Sequence, residues 1–176
     1  MINSKQKQFL ELYTPVHESL YRFCRAISGN KEDAEDLMND TVLAALESID
    51  KLKETQAFKS YIFSIASNLN KLRFRRFRFR ADFDEKELNK IADFSVNPEL
   101  IIDFKIVYQK MLALPSKVAE ALILFHISDV SLDEIQKIQG GSLSGVKLRL
   151  KRGRKKLLES LNTSSQKKVA TMLFTL

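Results

Sequence analysis

The sequence is poor in the residues that make cross-links, knuckles and tight turns. It has one cysteine, Cys24, in 176 residues. No intramolecular disulfide and no cysteine-built zinc knuckle can therefore form, and a reducing cytoplasm is the expected setting. Five glycines and three prolines are too few for a hairpin-rich or low-complexity chain. No apolar run approaches the length of a membrane span, and the first residues, MINSKQKQF, lack a signal core, so no membrane partner is expected. Carboxylate pairs, nucleophile–base pairs and a phosphate loop are also missing: GGSLSG has glycines but no lysine where such a loop needs one. An enzyme is not expected, and neither is a cofactor or a metal. His17 and Cys24 lie seven residues apart with no third ligand nearby, which favours core packing over a metal site, and His126 stands alone near the end of an apolar helix.

Positive charge is abundant. The net charge is +7 and the isoelectric point is near 9.5, which favours polyanionic partners. The two signs are sorted along the chain. Residues 31–50 hold seven acids and one lysine; residues 71–80, KLRFRRFRFR, hold six bases and no acid; residues 147–156, KLRLKRGRKK, hold seven bases and no acid. Solubility alone would mix the signs, so at least two kinds of partner are expected.

The periodicity is helical throughout and predicts an all-α protein of two small domains. A first helix is expected over 4–28, bent at Pro15 and stopped by Gly29, with Asn30 capping a second over 31–49. That second helix buries Ala34, Leu37, Met38, Thr41, Val42, Ala45 and Leu46. The helix dipole favours acids in its first turns but does not require five of them. A third helix starts near Phe58 and turns Tyr61, Ile62, Ile65, Ala66, Leu69 and Leu72 inward. Continued to residue 80, it makes the Arg–Phe alternation a narrow aromatic ridge between basic ones, suited to single-stranded or locally melted DNA. A membrane-surface segment and a merely solvated face are the alternatives. The expected domains are 1–80, a linker over 81–97, a second domain over 98–162, and an unplaced tail over 163–176.

Asn97-Pro98-Glu99 opens a fourth helix and Leu114-Pro115 breaks it. A fifth helix follows, burying Val118, Ala121, Leu122 and Phe125. Ser131-Leu132-Asp133-Glu134 is a capping box for a short sixth helix. Gln139-Gly140-Gly141 is a tight turn, and Ser142 caps a seventh helix. This is a helix-turn-helix pattern. Ile135 and Ile138 pack on Val146 and Leu150, leaving Ser144, Gly145, Lys147, Leu148, Lys151 and Arg152 toward a groove. Ser142 and Ser144 suit phosphate; Lys147, Arg149 and Arg152 suit phosphates or guanine edges. An αα-hairpin with a solvated basic face is the alternative.

Three stretches in this order, EDAEDLMNDTVLAAL, FKSYIFSIASNLNKLRFRR and LPSKVAEALILFHISDVSLDEIQKIQGGSLSGVKLRLKRGRKKL, resemble the extracytoplasmic-function (ECF) group of bacterial sigma factors. The resemblance covers all but the linker and the tail. It implies a subunit of RNA polymerase holoenzyme that directs promoter recognition and DNA melting. Asp33, Glu35, Asp36, Leu37, Asp40 and Thr41 would meet the β′ clamp helices, and the β flap is a further expected contact on the polymerase. The loop 50–57 would read a flipped base of the −10 element. Lys59, Tyr61, Asn68, Lys71, Arg73, Arg75 and Arg76 would contact or open the −10 duplex. The helix-turn-helix would read the −35 element, and an anti-sigma factor is a further expected partner. Against the family pattern, Tyr61 replaces the usual Trp, Leu72 replaces an Asp, and Ser64 and Ser67 stand where arginines are common. Leu148 takes the place of a small polar residue, where it suits a thymine methyl. A stand-alone helix-turn-helix regulator would need a self-complementary apolar face, and none is evident. An adaptor for acidic proteins or lipid leaves the turn-helix signature unexplained.

Overall fold

A computed structural model describes residues 4–74 and 98–175, and every described element is helical. The chain divides into two compact units, within Met1–Asp82 and Phe83–Leu176.

In the first unit α1 (Ser4–Tyr13) and α2 (His17–Ser28) are separate helices joined by a 3-10 turn at Thr14–Val16. The single bent helix expected over 4–28 is thus interrupted, because Pro15 has no N–H to continue the α ladder and sits at the start of the tighter turn. Gly29 ends α2 at φ 81°, a left-handed position that a glycine takes without a Cβ clash. The Asn30 side chain then accepts from the Asp33 N–H at 2.8 Å to start α3 (Lys31–Glu47). After 3-10 turns at Ile49–Lys51 and Thr55–Ala57 comes α4 (Phe58–Phe74). α3 packs on α2 and α4. Their shared core holds Leu20, Phe23, Leu37, Ile62 and Phe63, all fully buried, with the Phe23 and Phe63 rings 5.3 Å apart. α1 adds Phe9, whose ring meets Phe58 edge-on at 5.6 Å.

The inward stripe of α4 differs from the expected one. Phe63 and Ser67 are buried, whereas Leu72 is 60% exposed. Leu72 lies on the predicted stripe, but the helix has by then run past the core, since Asn68 and Lys71 are exposed as well. His17 and Cys24 also part company: Cys24 is in the core, but His17 is exposed and bonds the Tyr13 hydroxyl through Nδ1 at 2.8 Å. The linker over 81–97 and the proposed basic–aromatic ridge beyond Phe74 lie outside the described residues.

The second unit holds α5 (Pro98–Leu112), α6 (Ser116–His126), α7 (Leu132–Gln139), α8 (Leu143–Ser160) and α9 (Ser164–Thr175). Phe104, Tyr108, Met111, Leu122 and Leu124 form its fully buried centre. The tail left unplaced by sequence supplies α9, which buries Val169, Ala170 and Leu173 and packs on α5 and α8. Its N-terminus is fixed by Gln166, whose Oε1 accepts from the Asn162 and Thr163 N–H groups, while Thr163 Oγ1 accepts from the Gln166 N–H. The Ser165 hydroxyl donates to Asp103 on α5.

α6 crosses α8 at Gly153. A Cβ built there would stand 2.7 Å from Val118 Cγ1 and 3.2 Å from Leu122 Cδ1. Val118 is β-branched and turns poorly, so the contact cannot be relieved cheaply. Gly153→Ala gains about 1 kcal/mol of helix propensity, but overpacking costs roughly 1–3 kcal/mol. The expected outcome is a lower thermal midpoint for the second unit, measured by circular dichroism. A raised midpoint would show that α6 yields.

Candidate nucleic-acid and protein interfaces

The second basic block lies on α8, and its orientation is set by α7 and the turn before it. The Ser131 hydroxyl accepts from the Glu134 N–H at 3.3 Å, while Glu134 Oε2 accepts from the Ser131 N–H at 2.8 Å, closing the predicted capping box. Gly140 and Gly141 take φ of 73° and 94°, values that side-chain-bearing residues rarely hold. Gln136 Nε2 donates across this turn to the Gly141 carbonyl at 3.0 Å. Ser142 Oγ accepts from the Gly145 N–H at 3.1 Å and lies 3.1 Å from Ser144 Oγ. Ile135, Val146 and Leu150 are buried between the two helices. With that edge fixed, Ser142, Ser144, Lys147, Leu148, Lys151 and Arg152 are exposed and Gly145 is half-buried.

Arg149, expected to reach DNA, is turned to the scaffold instead. It is half-buried, and its Nη1 donates to Gln139 Oε1 at 2.6 Å. Gln139 is buried and donates through Nε2 to Glu120 Oε2 at 2.7 Å and to the Lys117 carbonyl at 3.1 Å. This chain ties α8, α7 and α6 together. Sequence pattern could not separate Arg149 from its basic neighbours, since all share one block; only the position of Gln139 across the turn does so.

A second fixed arginine lies further along α8. The Arg154 Nε–H donates to His126 Nε2 at 3.0 Å, and its guanidinium lies over the Phe125 and Phe174 rings at 5.6 and 5.8 Å. Burial, and then the Arg154 charge, lower the His126 pKa to about 4. His126 is therefore a neutral acceptor at pH 7, a satisfied histidine as its isolated place in the sequence suggested.

In the first unit the acids of α3 point outward. Glu32, Asp33, Glu35, Asp36 and Asp40 are all exposed. Asp33 Oδ2 accepts from Asn30 Nδ2 at 2.7 Å, and Glu35 lies 3.7 Å from Lys31. Glu32, Asp36 and Asp40 follow at i,i+4 steps, and the same ridge continues into Leu43, which is 56% exposed. Leu37 and Thr41 lie on the buried stripe that periodicity predicts and not at the clamp-facing surface that the resemblance implies. Both are fully buried, and the Thr41 hydroxyl donates to the Leu37 carbonyl at 2.6 Å, so they hold the helix rather than meet a partner. Sequence reading passed over Leu43 because it falls off the buried stripe.

Next to that ridge, Tyr61 is half-buried and its hydroxyl lies 2.6 Å from Ser48 Oγ, which itself donates to the Ala44 carbonyl. The aromatic face of α4 is thereby fastened to the end of α3. Lys5 bonds the Asp50 carboxylate and so anchors α1 to the start of the 50–57 loop. Lys51, Lys53, Glu54, Thr55 and Gln56 of that loop are exposed. Lys59 is half-buried, and Asn68 and Lys71 are exposed on α4. Arg73 belongs to α4 but its side chain, like all of Arg75 and Arg76, lies outside the described residues. No group of three or more metal-ligating side chains occurs among the described residues, and none of their helices is long and apolar enough to cross a membrane.

Residues 12–80 match the family described as sigma-70 region 2, and residues 104–157 match sigma-70, region 4. Together these define a sigma-70-type protein with a polymerase-binding family's two helical regions. The chain belongs to the ECF RNA polymerase sigma factors. It is similar to the ECF sigma factor SigW of Bacillus subtilis, at 26% identity over 89% of this chain and 90% of that one. It is also similar to EcfG of Rhodopseudomonas palustris, at 29% identity over 79% and 77%. Among solved structures it resembles the sigma factor RpoE of Bartonella quintana, crystallised with the anti-sigma factor NepR, with a TM-score of 0.68 at 22% identity over 87% and 96% of the two chains. The protein is thus a sigma factor of transcription initiation, a non-enzymatic subunit. Sigma factors bind core RNA polymerase and promoter DNA, and region 4 is a DNA-binding region.

Two outcomes follow from the fixed arginines. Arg149→Ala leaves buried Gln139 short of a partner and should cost about 1–3 kcal/mol in urea unfolding, whereas Lys147→Ala, at an exposed position, should stay within about 0.5 kcal/mol. His126 is neutral in the fold down to about pH 4 but takes a proton near pH 6.5 when unfolded. Its contribution is complete above pH 6.5, is lost as pH falls toward 4, and changes no further below that. After allowing for solvent screening at this half-buried site, the loss is about 1–2 kcal/mol. In His126→Gln this part of the pH dependence of the melting temperature should vanish.

Proposed function

We propose that this sigma factor divides its work between the faces described above. The acidic ridge of α3, Asp33, Glu35, Asp36 and Asp40 with Leu43 at its end, docks on the cationic β′ clamp helices of core polymerase. The 50–57 loop and the α4 face of Lys59, Tyr61, Asn68 and Lys71 act at the −10 element, reading a displaced base and holding the opened strand; Arg73, Arg75 and Arg76 also contact or open the duplex there. The exposed side of α8, Ser144, Lys147, Leu148, Lys151 and Arg152, reads the −35 element, with Ser142 and the first-turn N–H groups at the phosphates. The second unit also meets the β flap. The observation that carries the reading is the exposure of every acid from Glu32 to Asp40 on a helix whose apolar residues are buried.

The protein works in the cytoplasm beside the polymerase, and an anti-sigma factor restrains it. RpoE was solved with such a factor, and an acidic ridge ending in an exposed leucine is a surface that a competitor of the polymerase could cover. A stand-alone regulator is disfavoured, since the region 2 match spans residues 12–80, where such a regulator would carry a sensing or dimerising bundle.

The test adds the protein to core polymerase with a promoter library and maps transcript starts. Asp36→Lys with Asp40→Lys should abolish polymerase binding and specific starts without lowering the affinity of the full chain for duplex DNA. Normal polymerase binding by that variant would mean the docking face lies elsewhere.

A further inference from the structure

α9 lies beyond the region 4 match, which ends at residue 157. The short connection after Ser160 returns it against α8. Lys167 and Phe174 are seven residues apart, and so fall on nearly the same stripe of α9. Phe174 reaches Arg154 and His126. Lys167 lines a groove of about 520 Å³ together with Lys151, Arg154, Lys155, Leu158 and Glu159.

Four positive side chains and one carboxylate line the groove, and that carboxylate, Glu159, lies 3.8 Å from Lys155. Leu158 supplies apolar surface along which lysine stems can lie with their ammonium groups in water. Arg154 is held on its side by the neutral acceptor His126 and two aromatic rings. That bond engages one of the five guanidinium N–H donors. The groove is also continuous with the exposed face of α8. Lys147, Lys151 and Lys155 recur at i,i+4 along roughly 12 Å of helix, and Lys151 belongs to both surfaces.

We propose that this α8–α9 groove is an additional phosphate-binding surface for promoter DNA, in which Lys167 of the C-terminal helix grips the backbone beside the element that α8 reads. The inference rests on the DNA-binding role of region 4. It assigns α9 a part in binding as well as in packing. Contacts of this kind add affinity without sequence preference, because they meet phosphates and not base edges.

The test is fluorescence anisotropy of the full chain with two mixed-sequence duplexes over a range of salt. Each phosphate contact adds about 0.9 to the slope of log affinity against log salt. Lys167→Ala should lower that slope by about 0.9, weaken both duplexes equally, and leave the melting temperature unchanged. Lys168→Ala, an equal charge change at a neighbouring exposed residue that does not line the groove, should leave the slope as it is. An unchanged slope in Lys167→Ala overturns the proposal, as does an equal fall in Lys168→Ala, which would reduce the effect to net charge. If Lys167→Ala spares DNA binding but weakens assembly with core polymerase, the groove holds an acidic protein surface and the proposal is again wrong. Arg152→Ala serves as the reference. A normal fall there beside no change in Lys167→Ala rejects the groove alone, whereas no change in either rejects the DNA-reading face of α8 as well.

Discussion

A helix carrying seven bases in ten residues must still bury one edge, and on α8 that edge is narrow. Val146, Leu150 and Leu157 occupy it, with Gly153 between them. The missing side chain lets α6 approach until a single added carbon would strike Val118. That approach works together with α7 and the turn before α8 in setting how the helix lies. Together they align Arg149 with Gln139 and Arg154 with His126, and they turn the remaining cations to solvent. A larger residue at this crossing would move the whole charged face relative to the turn that presents it.

The charge of the two units follows a common rule. Along α3 and α8 a stripe of apolar side chains is buried while the acids of the one and the lysines of the other stand in water. The net charge of +7 therefore says little about how the protein meets its ligands. What matters is that opposite signs occupy different helices, so that a cationic protein surface and a polyanion are each offered a surface of the opposite sign. The exposed leucines, Leu43 on α3 and Leu148 on α8, place an apolar contact beside each charged ridge, where charge alone would discriminate poorly.

The basic residues of α8 divide into two kinds by what surrounds them. Arg149 and Arg154 have planar heads that are bonded or stacked against the scaffold, and they stiffen the helix pair. Lysines 147, 151 and 155 project into water, as compact charges suited to phosphate. α9 sharpens the division, since Phe174 helps to hold Arg154 while Lys167 adds a cation beside the exposed lysines. Packing and exposed charge are thus built from one block of sequence, and neighbouring residues take different places.

By itself the sequence determined most of the helices, their caps and the separation of charge. The Asn30 cap, the Ser131 capping box, the Gly140–Gly141 turn and the Ser142 cap are local matters, decided within a few residues by hydrogen bonds and allowed backbone angles. The acidic and basic blocks needed no fold to be seen, and they carried the family resemblance. Tertiary structure alone decided which members of each block face outward. Leu72 went to the surface, Arg149 was drawn to Gln139, and the tail became a packed helix. These outcomes depend on partners distant in the chain: Arg154 meets Phe174, and Ser165 meets Asp103. A periodic pattern identifies the stripe that can be buried. How far along the helix the core extends, and which polar group waits across the gap, depends on elements that the local sequence does not contain.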